Sequence, residues 1–288
     1  GFICQPSGVA TKAARCRLAA GDKGLVHFGS RRMHPAIVPM IDRNAFIGGC
    51  DGVSVTLSAQ MMGQEPVGTI PHALILVMGD SVDALKAFHE VIPKDVARVA
   101  LIDTFNDEKF EAVKVAEALG KDLFAIRLDT PKSRRGDFLQ ILREVRWELD
   151  LRGYEEVKIF VSGGIDEEDI SSLTPLADSF GVGTAISNAP VLDFSMDIVE
   201  IEGEPIAKRG KMSGLKDVLR CSRCGEDVMI PMGKPVTDCQ CGGRMEPLME
   251  VFLQQGKIVK QAPDPKEVRG YVLEQLGEVV PPRVKSRS

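Results

Sequence analysis

Short apolar runs alternate along the chain with longer segments in which every third or fourth residue is apolar. The runs lie at positions 25–28, 46–52, 67–70, 96–103, 123–129, 157–161 and 179–182. Continuous apolar runs separated by helices are typical of parallel strands buried on both faces, so the pattern predicts about seven strands with crossover connections. We therefore expect an α/β fold, an irregular, incomplete TIM-like barrel, since a complete barrel needs one more strand.

Polar residues before several amphipathic segments predict where helices begin. Asp80, Ser133 and Asp166 each stand at such a position. A side-chain oxygen there can accept a hydrogen bond from an exposed N–H of the first helical turn. The segment after Ser133 carries an apolar stripe at helical spacing. The stripe consists of Phe138, Leu142, Val145 and Leu149.

The predicted strands end in charged side chains. Arg127 and Asp129 are two residues apart, so both leave the same face of one strand. The other charged residues at strand ends are Arg31, Arg32, Asp51 and Asp103. In such folds the ligand lies at the carboxyl ends of the strands, where arginine suits phosphate or carboxylate and aspartate suits Mg²⁺ or sugar hydroxyls. Each residue alone is equally compatible with a surface ion pair.

Two glycine loops follow the last two predicted strands. The first contains Gly163 and Gly164, and the second contains Gly183 and Thr184. Bare backbone N–H groups at this place in a barrel can hold a phosphate, although glycine also ends strands in ordinary tight turns. We predict a phosphate site from the two loops together.

His72 stands at a strand-to-helix turn on the same rim. A histidine there can act as base or nucleophile, and the alternative is a helix-capping or packed imidazole. His27 and His34 lie near the basic pair Arg31-Arg32, and His89 falls on a predicted helix face, where we expect it to be solvated. The pair at 134–135 would open a helix against its dipole, which indicates either a nearby anion or a solvated pair.

Four of the seven cysteines crowd into one short segment. They spell Cys-x-x-Cys, fourteen intervening residues, then Cys-x-Cys, with a glycine after each pair. They are Cys221, Cys224, Cys239 and Cys241. Four thiolates from two knuckles suit a structural, tetrahedral zinc, and the alternative is a set of free or redox-active thiols. The other three cysteines, at 4, 16 and 50, are predicted to be buried thiols of a protein from a reducing, cytoplasmic compartment.

The pattern of alternating strands and helices ends near residue 200. We predict a barrel at 1–200, a return segment of a small domain at 201–219, a zinc knuckle at 220–250, and a C-terminal strand, helix and basic tail at 251–288. A formal net charge of −5 argues against bulk binding to nucleic acid or an anionic membrane. No apolar run has the length of a membrane span.

The ordered motifs resemble those of nicotinate phosphoribosyltransferase, in the form with a C-terminal zinc knuckle. They are Phe28-Gly29-Ser30-Arg31-Arg32, Gly48-Gly49-Cys50-Asp51, Gly68-Thr69-Ile70-Pro71-His72, Leu101-Ile102-Asp103-Thr104, Ile126-Arg127-Leu128-Asp129-Thr130 and Phe180-Gly181-Val182-Gly183-Thr184. The resemblance implies a type II phosphoribosyltransferase fold with a barrel and a smaller α/β domain. It covers nearly the whole chain, and that family normally has a further N-terminal region, so we expect the chain to lack it.

The resemblance also implies a reaction: nicotinate and phosphoribosyl pyrophosphate give nicotinate mononucleotide and pyrophosphate, with Mg²⁺ and with ATP hydrolysis coupled through a phosphohistidine. His72 matches that histidine, Arg31 the arginine by the pyridine ring and Asp51 the acidic residue by the base. Arg127 and Asp129, with Asp103 close by, match the contacts to ribose and phosphates. The four loop residues match the 5′-phosphate site. A homo-oligomer, a dimer or larger, is implied as well.

Two other functions stay open. Quinolinate phosphoribosyltransferase is a related barrel, but its substrate has two carboxylates and calls for more basic residues, and it uses no ATP-linked histidine. A non-catalytic zinc-binding subunit is the other alternative, and the basic tail supports it. The motif at 68–72 favours the nicotinate enzyme.

Overall fold

The computed structural model describes residues 2–236 and 238–278. The chain forms two compact units. The first runs to Leu192 and resumes at Asp264, and the second is Asp193–Pro263. The basic tail predicted at 283–288 lies outside the described residues, and the finer domain boundaries at 200, 219 and 250 stay predictions.

The first unit alternates strands and helices, as the apolar runs predict. Its strands are β1 (Gly24–His27), β2 (Gly52–Val53), β3 (Arg98–Leu101), β4 (Leu123–Leu128), β5 (Lys158–Val161) and β6 (Ser179–Val182). Its helices are α1 (Cys4–Ala20), α2 (Val38–Ile47), α3 (Thr56–Met61), α4 (His72–Met78), α5 (Ser81–Val91), α6 (Glu108–Leu119), α7 (Phe138–Leu151), α8 (Glu167–Leu173), α9 (Thr184–Ser187) and α10 (Pro265–Glu278). Short 3₁₀ helices cover Ser30–Arg32, Pro35–Ile37 and Gly120–Asp122.

The six strands form one parallel sheet in the order β2-β1-β6-β5-β4-β3. The sheet is a half-barrel, which confirms the predicted α/β class with an incomplete TIM-like barrel. Strand residues alternate between two packed faces: Ile126 joins the large core under the helices, whereas Ala125 packs on the inner face with Val99 and Phe160. Because both faces are covered, the strands read as continuous apolar runs.

Helix caps follow the predictions at two positions and differ at a third. The Asp80 carboxylate accepts hydrogen bonds from Val82 N and Asp83 N, and Asp166 forms a reciprocal capping box with Asp169. Ser133 is not a cap, because α7 begins only at Phe138 and is capped by Asp137. The left-handed backbone of Gly136 (φ 52°) explains the delay, since the chain turns there before the helix starts.

Of the seven predicted strands, one is displaced along the chain and one is absent from the described residues. Residues 46–47 are the last turn of α2, and the strand follows it at Gly52–Val53. Residues 67–70 lie between Pro66 and Pro71, and only Val67 N donates a backbone hydrogen bond to β2, at Val53 O (2.9 Å). Proline cannot donate to a ladder, so the segment stays extended without becoming a seventh strand.

The second unit is built from antiparallel strands. A hairpin pairs β7 (Glu200–Ile201) with β8 (Glu204–Pro205). A three-stranded sheet has the order β10 (Asp227–Pro231), β9 (Lys216–Cys221), β11 (Met245–Pro247), and a second hairpin pairs β12 (Leu253–Gln254) with β13 (Lys257–Ile258). Among the described residues, no helix is long and apolar enough to cross a membrane.

The stripe on α7 gives a direct test of the packing. Leu142 is fully buried in the main core, whereas Leu151 on the same helix is 68% exposed. We expect Leu142→Ala to lower the free energy of unfolding by about 2–5 kcal/mol, because it leaves a cavity. The same change at Leu151 should stay within about 0.5 kcal/mol in chemical denaturation. Equal effects at the two positions would contradict this packing.

Candidate active site

The carboxyl ends of the parallel strands surround a cleft of about 720 Å³. Residues after β1, β4, β5 and β6 line it, together with the segment that leads into α4. Its charged lining comes from Arg31, Arg32, His72, Arg127, Asp129 and Lys132. The structure thus brings together most of the residues that the sequence places at strand ends.

Arg127 is the most highly connected side chain of the cleft. Its Nε donates to Ser162 Oγ (2.8 Å), its Nη1 donates to Thr69 Oγ1, and its Nη2 lies 3.0 Å from Asp129 Oδ1. Ser162 Oγ in turn donates to the same Asp129 oxygen (2.6 Å). The guanidinium also lies over the Phe28 ring, 5.2 Å from its centroid. Several contacts thus hold the guanidinium and the carboxylate in place, and preorganised groups of this kind suit a polar ligand.

The sequence singles out Arg127 and Asp129 but not the groups that hold them. Thr69 and Ser162 belong to quoted motifs, yet nothing in the local pattern shows that they meet one guanidinium. Their contacts join residues 58 and 35 positions apart. Only the parallel packing of β4 against β5, and the extended segment before α4, bring them together.

His72 is the first residue of α4 and stands between two carboxylates. Its Nε2 lies 3.2 Å from both oxygens of Asp103, and its Nδ1 lies 4.0 Å from Asp129 Oδ2. The imidazole is 40% exposed, whereas the Asp103 side chain is almost fully buried. Burial raises the pKa of Asp103, the charge of His72 opposes that rise, and the charge of Asp129 adds to it. The arrangement orients an accessible ring toward the cleft.

Glycine is required at two points of the rim, in the loop after β5 and in β6 itself, where the backbone approaches a neighbouring segment closely. A Cβ on Gly163 (φ 91°) would lie 2.6 Å from Asp129 O, and one on Gly181 would lie 2.6 Å from the Phe28 ring. Gly164, Gly183 and Thr184 also line the cleft. Both predicted glycine loops therefore reach the same space as Arg127 and His72.

Arg31 and Arg32 belong to a 3₁₀ helix that a buried network supports. His27 Nδ1 lies 2.7 Å from Asp42 Oδ1, which also accepts from Ser30 Oγ (2.7 Å). His27 and Asp42 have no solvent exposure, and neither lines the cleft. His27 thus supports the 3₁₀ helix Ser30–Arg32 through Asp42, outside the cleft lining. His34 is exposed, and its ring accepts from Ala36 N.

The structure does not bring Asp51 into the cleft lining. Its Oδ2 accepts from Leu25 N (2.8 Å) and Arg17 Nη2 (2.5 Å), and its Oδ1 accepts from Arg269 Nη2 (2.7 Å). Arg269 lies on α10, 218 positions away in sequence. The carboxylate therefore fastens the C-terminal helix and the start of β1.

The basic pair at 134–135 does not open a helix, since α7 begins three residues later. Arg134 is exposed, and Arg135 is 6% exposed in the loop between β4 and α7. His89 is half-buried on α5, and its ring accepts from Arg98 Nε (3.2 Å). The prediction of a solvated His89 is therefore only partly correct.

In the second unit, the four knuckle cysteines form one cluster. Their Sγ atoms all lie within 4.8 Å of one another. Cys221 and Cys241 are 3.5 Å apart, and Cys224 and Cys239 are 3.6 Å apart. Backbone N–H groups of Cys224 and Arg223 point at Cys221 Sγ and lower the pKa of this thiol to about 6, which favours the thiolate that a metal needs. The cluster is a possible metal site.

The scattered cysteines divide by burial. Cys16 and Cys50 are buried in the main core, and burial raises the pKa of Cys16 to about 12 and that of Cys50 further. Thiols that stay protonated are poor nucleophiles, so these two have packing roles. Cys4 is only partly buried.

A family model described as "Quinolinate phosphoribosyl transferase, C-terminal domain" matches residues 9–197. The chain belongs to this quinolinate phosphoribosyl transferase family. The matched region contains the half-barrel and the whole cleft. The glycine loops and the arginine–carboxylate pair of the rim thus lie within the matched region.

Curated relatives of this family member are named nicotinate phosphoribosyltransferase. One from Mycobacterium tuberculosis is 30% identical over 97% of this chain and 61% of its own length. Another, from Bacillus subtilis, is 31% identical over 79% of this chain and 46% of its own length. The chain therefore spans less than two thirds of the length of these relatives.

Solved structures agree on the fold. The nicotinate-nucleotide pyrophosphorylase from Pyrococcus furiosus is 57% identical and superposes with a TM-score of 0.92, covering 96% of this chain and 71% of that one. Human nicotinic acid phosphoribosyltransferase is 21% identical with a TM-score of 0.71, covering 99% and 71%, so it supports the fold alone.

The close approach of Gly163 to Asp129 is testable with a matched pair of variants. Gly153 has a similar left-handed backbone (φ 80°), but no atom lies within 4 Å of the place that a Cβ would take there. We expect Gly153→Ala to cost about 1–2 kcal/mol of unfolding free energy, from backbone strain alone. Gly163→Ala should cost clearly more in thermal denaturation, because the Cβ also displaces the end of β4. Equal costs would show that this approach is not tight.

Proposed function

We propose that this chain carries the catalytic rim of a nicotinate phosphoribosyltransferase, which joins nicotinate to phosphoribosyl pyrophosphate in NAD biosynthesis. The observation that carries the proposal is the position of His72. Its imidazole lies between Asp103 and Asp129 in a cleft that also holds Arg127 and the glycine loops. The names of the curated relatives support the choice of nicotinate.

The charges of the cleft suit phosphoribosyl transfer. The sugar carbon becomes cationic as pyrophosphate leaves, so a nearby carboxylate stabilises the transition state and no strong base is needed. Asp129 can serve this role, because Arg127 and Ser162 hold it in place. Arg31 and Arg32 supply positive charge for the nicotinate carboxylate or the departing pyrophosphate.

The carboxylates also fit a magnesium ion. Mg²⁺ is commonly held by one or two carboxylates together with substrate phosphates, and Asp103 and Asp129 lie on either side of His72. When bound, the ion neutralises charge on the pyrophosphate. Asp129 Oδ2 is the oxygen without an arginine or serine partner, so it is the one we assign to the ion.

We assign to His72 the role of phosphoryl acceptor from ATP. When Nε2–H donates to Asp103, Nδ1 keeps its lone pair for attack on the terminal phosphorus of ATP. ADP leaves as the N–P bond forms, and later hydrolysis of that bond returns the free imidazole. The phosphoryl group places negative charge at the cleft, where it can organise Mg²⁺ and pyrophosphate.

The His72→Ala variant tests this role. We expect slow formation of nicotinate mononucleotide to persist without any stimulation by ATP, because the acceptor is gone and the phosphoribosyl site is intact. The measurement is product formation with and without ATP, together with ADP released per product. His89→Ala, a change on α5 outside the cleft lining, is the control and should keep full stimulation. Coupling that survives in His72→Ala would contradict the assignment.

The identity of the substrate base is tested by comparing turnover with three candidate bases. Quinolinate is the second candidate, because the matching family model is named for it. Purified protein is assayed with phosphoribosyl pyrophosphate and equal concentrations of nicotinate, quinolinate or nicotinamide. We expect turnover with nicotinate, and carbon dioxide release with quinolinate would favour the second candidate. A chain that releases pyrophosphate with none of the three bases would overturn the proposal.

We further propose that the cysteine cluster holds a structural zinc ion. Four thiolates around a tetrahedral zinc at about 2.3 Å leave no open position, and the observed separations of 3.5 and 3.6 Å suit such a site. Zinc would fasten β9 to the loop before β11.

We also expect a cytoplasmic homo-oligomer. Sedimentation of the purified chain would measure its oligomeric state.

Elemental analysis tests the metal. We expect about one zinc per chain, a value that Cys224→Ser reduces strongly because three thiolates bind the ion less tightly. Cys4→Ser, outside the cluster, is the control and should keep its zinc. Equal zinc in both variants, or thiols that titrate freely in the unmodified protein, would contradict a four-cysteine site.

A further inference from the structure

Arg135 is a buried cation that the proposed reaction does not use. It lies in the loop between β4 and α7 and is 6% exposed. Its guanidinium packs over the Phe138 ring, 4.7 Å from the centroid, and its Nη2 donates to Gly163 O. Burial lowers its pKa, but a guanidinium stays protonated in proteins. A charge held this deeply needs a reason, since desolvation is costly.

The carbonyl that Arg135 holds belongs to the first glycine loop of the cleft. In a trans peptide the C=O of one residue and the N–H of the next point in opposite directions. Arg135 holds the Gly163 C=O on its own side, so the Gly164 N–H points the other way. Gly164 lines the cleft, and its N–H has no hydrogen-bond partner within the described ranges. A free N–H at such a loop suits an anion.

The backbone conformation of this loop is not fixed by its two glycines. Gly163 and Gly164 both have positive φ (91° and 70°), and glycine adopts positive and negative φ about equally readily, so the two residues do not fix this conformation by themselves. Close contact with Asp129 O limits Gly163 but does not orient its carbonyl. The hydrogen bond from Arg135 does so. Lys132, in the same loop between β4 and α7, is held separately, because its Nζ lies 2.8 Å from Asp169 Oδ2 in the first turn of α8.

We propose that Arg135 is a positioning residue: it fixes the Gly163–Gly164 peptide so that the loop binds a phosphate group of the phosphoribosyl substrate. The proposal rests on the proposed function for the identity of that substrate. Arginine suits the role because its planar group stacks on Phe138 and donates at its edge at the same time. Arg135 itself does not touch the phosphate.

The experiment measures phosphate binding separately from turnover. The probe is ribose 5-phosphate, which carries one phosphate and no pyrophosphate, titrated calorimetrically into the unmodified chain and three variants. We expect Arg135→Met to weaken binding about tenfold, because the loop loses a charge-assisted hydrogen bond. Arg135→Lys keeps one donor and should recover part of the affinity. Arg134→Met, an exposed neighbour, is the matched control and should stay within about twofold.

A second readout separates positioning from general damage. Hydrogen exchange should rise in peptides that cover 162–165 of Arg135→Met and stay unchanged in those that cover α1 and α2. In turnover, KM for phosphoribosyl pyrophosphate should rise while KM for nicotinate stays the same.

The outcomes are distinct. Probe binding that depends on Arg135 supports the proposal even if no base is turned over, in which case only the proposed function fails. Binding that is equal in Arg135→Met and the unmodified chain overturns the proposal while leaving the function intact. An unmodified chain that does not bind the probe overturns the proposal for Arg135, and turnover with the three bases decides the proposed function separately.

Discussion

The hydrogen-bonded group of Arg127, Ser162 and Asp129 is the interaction on which the rest of the cleft depends. It ties the end of β4 to the end of β5 and reaches the segment before α4 through Thr69. His72 follows that segment directly. Contacts of the Arg127 guanidinium therefore fix the position of His72 relative to the Asp129 carboxylate. Without this group, three separate pieces of chain would have no common polar contact to fix their positions in the cleft.

The loops that follow these two strands are joined a second time, by a residue outside the cleft lining. Arg135 donates to Gly163 O, while Gly163 approaches Asp129 O closely enough to exclude any side chain. The loops after β4 and β5 are thus held from both sides. These contacts fix the rim where we propose that a phosphate binds, and preorganised donors of this type need no rearrangement when charge develops.

The sequence predicts the regular parts of this structure because local physics decides them. Strands β4, β5 and β6 are continuous apolar runs, and Asp80 and Asp166 cap helices through their own neighbours. Long-range contacts are not predictable in the same way. The pattern places Asp51 at a strand end like Asp103, but in the structure it lies immediately before β2, and its carboxylate accepts a hydrogen bond from Arg269 on α10. Asp137 caps α7 in place of Ser133, since the turn at Gly136 delays the helix.

A double-mutant cycle tests the central interaction most directly. The affinity for phosphoribosyl pyrophosphate is measured by calorimetry in Arg127→Met, in Ser162→Ala and in the double variant. Since both residues hold the same Asp129 oxygen, the account predicts that the double variant loses clearly less binding free energy than the sum of the single losses. Strictly additive losses, or single variants that bind as tightly as the unmodified chain, would contradict it.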